Sequence, residues 1–306
     1  MSFLVELARS AYPKDALNGF SPNPQFGLDN ARAMMWLSQL AYETADKSKV
    51  ESILGDLLLT MRAFVSNDPV TGLPPRSACA FVAGGRGATF ISFSGTDPLK
   101  IEDWITDFTA TRSTTDLHSG FQNAVDTVWP TIKPVIKSRP GDQQHLFFTG
   151  HSLGGVLAII AAERAMRELG VAATAVYTFG SPRPGGVDFF NSCGLGNSTF
   201  RLVHGTDIVP TVPPTADFRH VGQSIQCPTD GRFDGPIVTS LGEANKPDFV
   251  EGVMQSGLAD LRALAAFRFI RGIGPRPLDR LAVLLPRMVR DHVPSNYFRA
   301  LSIPPR

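Results

Sequence analysis

The chain of 306 residues has few cysteines, almost no net charge and no long apolar run. Its three cysteines, Cys79, Cys193 and Cys227, lack paired spacing, so we expect neither a disulfide framework nor a metal site. A formal net charge of +1 gives no electrostatic case for nucleic acid as a partner. No stretch is long and uncharged enough to span a bilayer. The remaining composition, 43% hydrophobic and 19% charged, is typical of a globular protein.

The start of the chain lacks a basic region followed by a long apolar run, the pattern of a secretory leader. Cytoplasmic residence is therefore the default expectation, and export by a route that reads no N-terminal signal stays open. The length allows one large α/β domain or at most two, and we interpret residues 1–306 as one domain. No feature of the sequence indicates an oligomeric state.

One stretch combines a strand pattern, a Gly-x-Ser-x-Gly pentapeptide and a helix pattern. The apolar run 146–149 predicts a strand, and the Ala-rich periodic run from Val156 predicts a helix that ends near Gly170. A strand that turns sharply into a helix with Ser152 at the apex is the nucleophile elbow of a hydrolase. The helix N-terminus beside Ser152 would favour negative charge that develops during acyl transfer.

The segments before this stretch predict mostly scaffold. Residues up to about 26 are rich in turn formers and predict a surface arm. Helical spacing follows Asp29, a good N-cap, and a second helical run covers roughly 50–65. Strands are predicted at 77–83 and 88–94, joined by the glycine cluster 84–87, which lacks the Gly-Lys-Ser/Thr ending of a phosphate loop.

The joint pattern of several motifs resembles the class 3 lipase family, the fungal-type lipases of the α/β-hydrolase fold. The resemblance implies a mostly parallel central sheet flanked by helices, a lid over an acyl-chain groove at about 97–110, and no cofactor or metal. Ser94 departs from the family, which more often has Arg there. The matching motifs, in order, are Phe93–Thr96 with Asp103, Trp104 and Asp107, then His118–Phe121, Gly150–Gly155, Tyr177–Arg183, Asp207–Pro210 and Phe218–Gly222.

The acid and the base follow the serine in α/β-hydrolases. Asp207 is the candidate acid because it comes directly after the strand-like run 199–204. Its competitors Asp188, Asp217 and Asp230 lie in loop-like contexts. The alternative is that Asp207 is a turn residue with no catalytic role.

Two histidines follow Asp207, and both are candidate bases. His292 lies in a segment that resembles the family's closing His-x-x-Tyr-Phe neighbourhood, with extra residues before Tyr297. His220 lies in a strand-like run, and the resemblance implies a structural role for it. We therefore favour His292 as the base and keep His220 as its rival.

The expected mechanism is nucleophilic catalysis by a serine. His292 takes the proton of Ser152 during attack and returns it to the leaving alcohol, and Asp207 orients the imidazole. The backbone amides of Thr96 and Leu153 would form the oxyanion hole, with the Thr96 hydroxyl as a further donor.

The segment 245–290 is longer than the family pattern and unusually basic. Its periodicity predicts a C-terminal helical insertion of two amphipathic helices, the second interrupted by Pro286. Such helices either pack with a solvated face or lie on an anionic membrane surface.

The expected function is the hydrolysis of lipid carboxylic esters, by a lipase or esterase acting on a lipid ester substrate. A membrane or a lipid-droplet surface is a further expected partner. The alternatives are a phospholipase A1, which would use the same site on phospholipid esters, and a non-catalytic lipid- or ligand-binding protein on the same fold. A receptor has no need for three intact triad residues.

Overall fold

The computed structural model describes residues 5–66, 77–96, 114–213, 217–234, 238–241 and 287–303. The expected lid at 97–110 lies outside these residues. Of the expected helical insertion at 245–290, only 287–290 is described, and it is helical.

A sheet of eight strands runs through the protein in the spatial order β1-β2-β3-β4-β5-β7-β9-β10. The four central pairings, from β3 to β9, are parallel, whereas the pairings of β1 to β3 and of β9 with β10 are antiparallel. The strands are β1 (Thr60–Val65), β2 (Ala80–Gly85), β3 (Ala88–Phe93), β4 (His145–His151), β5 (Ala175–Phe179), β7 (Thr199–His204), β9 (Gln223–Cys227) and β10 (Val238–Leu241), with β6 (Gly185–Gly186) and β8 (Phe218–Arg219) forming a separate two-stranded ribbon.

Helices cover both faces of the sheet, as a mostly parallel sheet requires. They are α1 (Leu28–Leu40), α2 (Lys47–Asp56), α3 (Thr114–Lys137), α4 (Leu153–Leu169), α5 (Val187–Ser192), α6 (Arg287–Arg290) and α7 (Pro294–Ala300). One hydrophobic core lies between the sheet and helices α3 and α4, and a second lies between the sheet and helices α1, α2 and α7. This is the layered architecture expected from the sequence.

Strand β2 shows how the sequence supplies both cores. Ala80 and Val82 point into the core under α3 and α4, whereas Phe81 and Ala83 point into the opposite core. Successive side chains of a strand alternate between faces, so a strand with helices on both sides is apolar throughout.

The predicted hairpin is confirmed, but the predicted second helix is only half right. Strands β2 and β3 pair antiparallel around a turn at Arg86 and Gly87, where both residues have positive φ. Helix α2 ends at Asp56, and the rest of the predicted run forms strand β1 instead. Leu58, with φ of 61°, reverses the chain between the two elements.

The N-terminal segment is wrongly predicted as a surface arm. Val5, Tyr12 and Leu17 are buried, and Phe20 packs edge-on against Phe90 and Phe147 of the sheet. Turn residues describe the path of this segment correctly, but its few apolar side chains complete the core beside α1 and α2.

Candidate active site

Ser152 lies at the apex between strand β4 and helix α4, as the sequence predicts. Its backbone has φ of 58° and ψ of −133°, a sparsely populated conformation that costs about 1–3 kcal/mol and occurs at functional sites. The turn is held because the Ser152 amide donates to the Phe179 carbonyl oxygen at 2.8 Å, and the Gly155 amide donates to the Ser152 carbonyl oxygen at 2.9 Å.

Two glycines make this turn possible. A Cβ at Gly150 would overlap the backbone of Gly154, and a Cβ at Gly154 would overlap the carbonyl oxygen of Phe93. Helix α4 therefore begins directly against strands β3 and β4. The pentapeptide is thus required by packing around Ser152.

The structure brings Asp207 and His292 together at the carboxyl end of the sheet. His292 Nδ1 lies 2.9 Å from both carboxylate oxygens of Asp207. Asp207 Oδ1 also accepts from the Val209 amide at 2.9 Å, and Oδ2 accepts from the Tyr297 hydroxyl at 2.6 Å. Both residues are buried, so this charge-assisted contact is sheltered from water.

The main chain of His292 is held by a second histidine. The Nε2 of His151 contacts the His292 carbonyl oxygen at 2.8 Å, and Nδ1 contacts the Tyr42 hydroxyl at 2.7 Å. A carbonyl oxygen only accepts, so Nε2 carries the proton and Tyr42 donates to Nδ1. Burial, and then the charge of His292, hold the pKa of His151 well below its usual value, which keeps this ring neutral.

Ser152 and His292 are neighbours that make no hydrogen bond to each other. The imidazole rings of His151 and His292 lie 4.6 Å apart, which places the histidine beside the elbow. Both Ser152 Oγ and His292 Nε2 are buried, and neither has a hydrogen-bond partner within the described residues. These are the two atoms that a serine mechanism must couple, and catalytic contacts of this kind often tighten only when substrate is bound.

The turn after strand β3 packs directly on the elbow. A Cβ at Gly95 would lie 3.1 Å from the Ser152 Cβ and would overlap the Tyr42 hydroxyl, so only glycine fits there. Thr96 is consequently next to the serine, and Leu153 begins helix α4. Thr96 Oγ1 is buried without a hydrogen-bond partner within the described residues.

The other candidates for the base and the acid lie in different environments. His220 Nε2 contacts the Pro210 carbonyl oxygen at 2.7 Å, and burial followed by the charges of Arg201 and Arg183 holds the pKa of His220 well below its usual value. Asp188 lies in helix α5, and Asp217 and Asp230 are exposed. Of the two histidines after Asp207, His292 is the one that contacts its carboxylate.

Sequence reasoning missed the partners that hold the acid and the base. The sequence assigns no site role to Tyr42 or His151, and it gives Tyr297 only as part of a motif. Each makes its key contact across 90 or more positions of the chain, so local spacing carries no signal for it.

The described residues offer no group of three or more His, Cys, Asp or Glu side chains that could hold a metal ion. Within the same part of the chain, no helix has both the length and the apolar character needed to cross a lipid bilayer.

Residues 90–216 match the family model described as lipase (class 3). The chain is 34% identical over 152 residues to the secreted mono- and diacylglycerol lipase 1 of Fusarium solani, covering 46% of this chain and 45% of that protein. It is 34% identical over 161 residues to a lipase of Rhizomucor miehei, covering 47% and 43%. The chain therefore spans less than half the length of these two curated relatives.

A solved lipase supports the fold. The nonglycosylated LIP2 lipase of Yarrowia lipolytica matches with a TM-score of 0.57 and 18% identity, covering 72% of this chain and 86% of that one. At this identity the likeness shows the architecture, and the predicted α/β-hydrolase fold is confirmed.

These relatives correct one prediction. The expectation of a cytoplasmic protein is wrong, because the similar lipase of Fusarium solani is named as secreted. That expectation was based on the lack of a recognisable leader, and an absence of this kind does not fix a compartment. The matched model and the two relatives together show that residues 90–216 are similar to the class 3 lipases.

Proposed function

We propose that this protein is a serine hydrolase that cleaves the carboxylic esters of lipids. The observation that carries the proposal is the contact of His292 Nδ1 with Asp207 at 2.9 Å, with the imidazole beside the strained turn that holds Ser152. A scaffold or a receptor gains nothing from a buried serine oxygen and a buried imidazole nitrogen that both lack a hydrogen-bond partner among the described residues.

In this mechanism Ser152 Oγ attacks the ester carbonyl carbon while His292 Nε2 takes its proton. Asp207 accepts from His292 Nδ1 throughout, which fixes the tautomer and stabilises the charged imidazole. The leaving alcohol receives the proton from Nε2. A water molecule then gives a proton to Nε2 and attacks the acyl carbon, and that proton returns to Ser152 Oγ as the fatty acid leaves. The backbone amides of Thr96 and Leu153 bind the oxyanion, with the Thr96 hydroxyl as a third donor.

The proposed substrates are acylglycerols, because both curated relatives described above are named as lipases. Ser152 and His292 are fully buried, so the site must open before an ester reaches the serine. We propose that this occurs at a membrane or lipid-droplet surface, where long-chain lipid esters are concentrated.

The test compares wild-type protein with Ser152→Ala on nitrophenyl esters of increasing chain length, on diacylglycerol and on phospholipid. We expect hydrolysis of the esters and of diacylglycerol, a higher rate once the substrate aggregates, and no activity in Ser152→Ala. Preferential cleavage of phospholipid would identify a phospholipase A1 instead. Lipid binding without hydrolysis would identify a receptor, and full activity in Ser152→Ala would refute the proposed nucleophile.

A further inference from the structure

The buried residue Asp291, which precedes the proposed base His292, makes hydrogen bonds with Thr206, which precedes the proposed acid. Asp291 Oδ2 accepts from the Thr206 amide at 2.8 Å and from the Thr206 hydroxyl at 3.0 Å. In the next positions of the same two segments, His292 contacts Asp207. Two adjacent residues of one segment are therefore joined to two adjacent residues of the other.

A third loop joins the same carboxylate. The Thr229 hydroxyl, just after strand β9, donates to Asp291 Oδ2 at 2.9 Å. The His204 ring, at the end of strand β7, lies between the carbonyl oxygens of Asp291 and Thr229, at 3.2 and 3.0 Å. Asp291 is thus tied to the ends of two neighbouring strands, and both Asp291 and His204 are fully buried.

The backbone at Gly205 leaves space for the Asp291 carboxylate. Gly205 has φ of 54°, and a Cβ there would lie 2.5 Å from Thr229 Oγ1 and would overlap Asp291 Oδ2. A side chain at position 205 would displace the carboxylate from the loop. The glycine therefore leaves the space that Asp291 fills.

The segment that carries His292 has little local structure of its own. Helix α6 has only four residues, and His292 stands between it and helix α7. Backbone bonds from Asp291 to Arg287 and from His292 to Val289 span single turns. Short helices are marginal without tertiary contacts, so the position of the imidazole depends on what holds this segment to the sheet.

We propose that Asp291 is a positioning residue of the site: its contacts with Thr206 and Thr229 form a second link, parallel to that between Asp207 and His292, which sets the acid–base geometry. This inference rests on the proposed function. The contacts of His292 with Asp207 and with His151 hold its ring and its carbonyl oxygen. The second link holds the chain at the preceding residue, so that the ring cannot shift together with its backbone.

A carboxylate is suited to this role because one oxygen receives three donors. Charge-assisted hydrogen bonds are shorter and about twice as strong as neutral ones. Asparagine has nearly the same shape but no charge, so Asp291→Asn loosens the link without opening a cavity. Displacing a catalytic group by about 1 Å can lower the rate roughly 100-fold.

The experiment measures kcat and KM on a short nitrophenyl ester, thermal unfolding, and the rate of fluorophosphonate reaction at Ser152. We expect Asp291→Asn to lower kcat and the labelling rate about 10- to 100-fold, with KM within twofold, because substrate contacts are unchanged. Asp234→Asn, which removes an exposed carboxylate, is the matched control and keeps wild-type values.

A pair of threonine variants decides the question where Asp291→Asn does not fold. Thr229→Val keeps the shape but removes one donor, and we expect a lower kcat. Thr229→Ser keeps the hydroxyl, and we expect most of kcat to be recovered. A purely structural role predicts that both variants change the unfolding temperature while kcat stays unchanged.

The proposal is overturned if folded Asp291→Asn or Thr229→Val retains wild-type kcat, or if Thr229→Ser loses as much as Thr229→Val. Failure of the proposed function has a different signature. In that case wild-type protein itself neither hydrolyses the ester nor reacts at Ser152, and the positioning role falls with it.

Discussion

At the residue scale, the proposed acid depends on a tyrosine as well as on the histidine. Tyr297 donates to Asp207 Oδ2 at 2.6 Å, and its hydroxyl also accepts from the His204 amide at 3.2 Å. Burial, and then the neighbouring Asp207, raise the pKa of Tyr297 well above its usual value, so the hydroxyl keeps its proton and donates. Each oxygen of the Asp207 carboxylate therefore has a donor besides the imidazole: the Val209 amide at Oδ1 and the Tyr297 hydroxyl at Oδ2.

Tyr297→Phe removes this donor and keeps the ring, which packs between Phe179 and Phe233. A hydrogen bond to a charged group contributes about 1.5–3 kcal/mol, so we expect kcat to fall roughly 10- to 100-fold. The measurement is kcat on a short ester. Tyr177→Phe is the matched control, because Tyr177 is equally buried and its hydroxyl contacts Gly27, Gln25 and Asn30 rather than Asp207. Equal losses in the two variants would show that only folding was affected.

The cysteines are expected to be inert in the native protein. Burial raises the pKa of Cys193 and of Cys227 to about 12, so the reactive thiolate is scarce at neutral pH. We expect negligible labelling by a thiol reagent at pH 8, and reaction of all three cysteines after denaturation. Mass spectrometry of the labelled protein measures this directly. Rapid native labelling of Cys227 would contradict the burial described here.

At the element scale, the close packing of strand β4, helix α4 and the turn after β3 fixes the position of Ser152. Gly154→Ala would push its methyl group into the Phe93 carbonyl oxygen, so we expect destabilisation of about 1–3 kcal/mol. Gly55→Ala is the matched control in helix α2, where nothing lies within 4 Å of the added Cβ. Alanine is the better helix former, so we expect stabilisation of about 1 kcal/mol there. Urea unfolding of both variants measures the difference, and similar effects would refute the role of close packing at the elbow.

The elements that the sequence predicts correctly are those with a local signal. Alternating or apolar runs bounded by glycine predict β2, β3 and β4, and the serine pentapeptide marks the start of α4. Strand β1 is not predicted because the apolar run continues from α2 through Leu57–Leu59, and Gly55 lies within the helix rather than after its end. Its pairing with β2, some 20 positions away, decides its conformation, and tertiary pairing of this kind overrides local propensity.

The residues of the candidate site also fall into those with a local sequence signal and those placed by long-range contacts. Ser152 follows from a local motif, whereas the pairing of Asp207 with His292 joins residues 85 positions apart. The family resemblance suggested both residues, but periodicity and spacing alone left His220 open. The contacts of Asp291 and Tyr297 depend entirely on how α6 and α7 fold back onto the sheet, so only the structure supplies them.

At the scale of the whole molecule, two buried histidines make stability depend on pH. Burial is the main reason that the pKa of His151 and of His220 lies well below the usual 6.5. Below about pH 6.5 the unfolded chain binds protons at these sites and the folded protein does not, so acid favours unfolding. The stability conferred by the two neutral rings is complete above that pH and is lost as the pH falls.

We therefore expect the free energy of unfolding to fall between pH 7 and 5.5, by up to about 1.4 kcal/mol per pH unit for each histidine. Urea titrations at several pH values measure this slope. His220→Gln removes one of the two groups and is expected to reduce the slope by about one proton. A free energy of unfolding that stays constant over this range would show that the rings are not buried and neutral.

If Ser152 is a nucleophile activated by His292 and Asp207, as we propose, it reacts covalently with a fluorophosphonate. Wild-type protein, Ser152→Ala and Asp207→Asn are each treated with a fluorophosphonate, and adducts are located by mass spectrometry of peptides. The structure predicts one adduct per chain on Ser152, none in Ser152→Ala, and much slower reaction in Asp207→Asn. A folded wild-type protein that stays unlabelled, or an adduct that persists in Ser152→Ala, would contradict the role of Ser152 as the nucleophile.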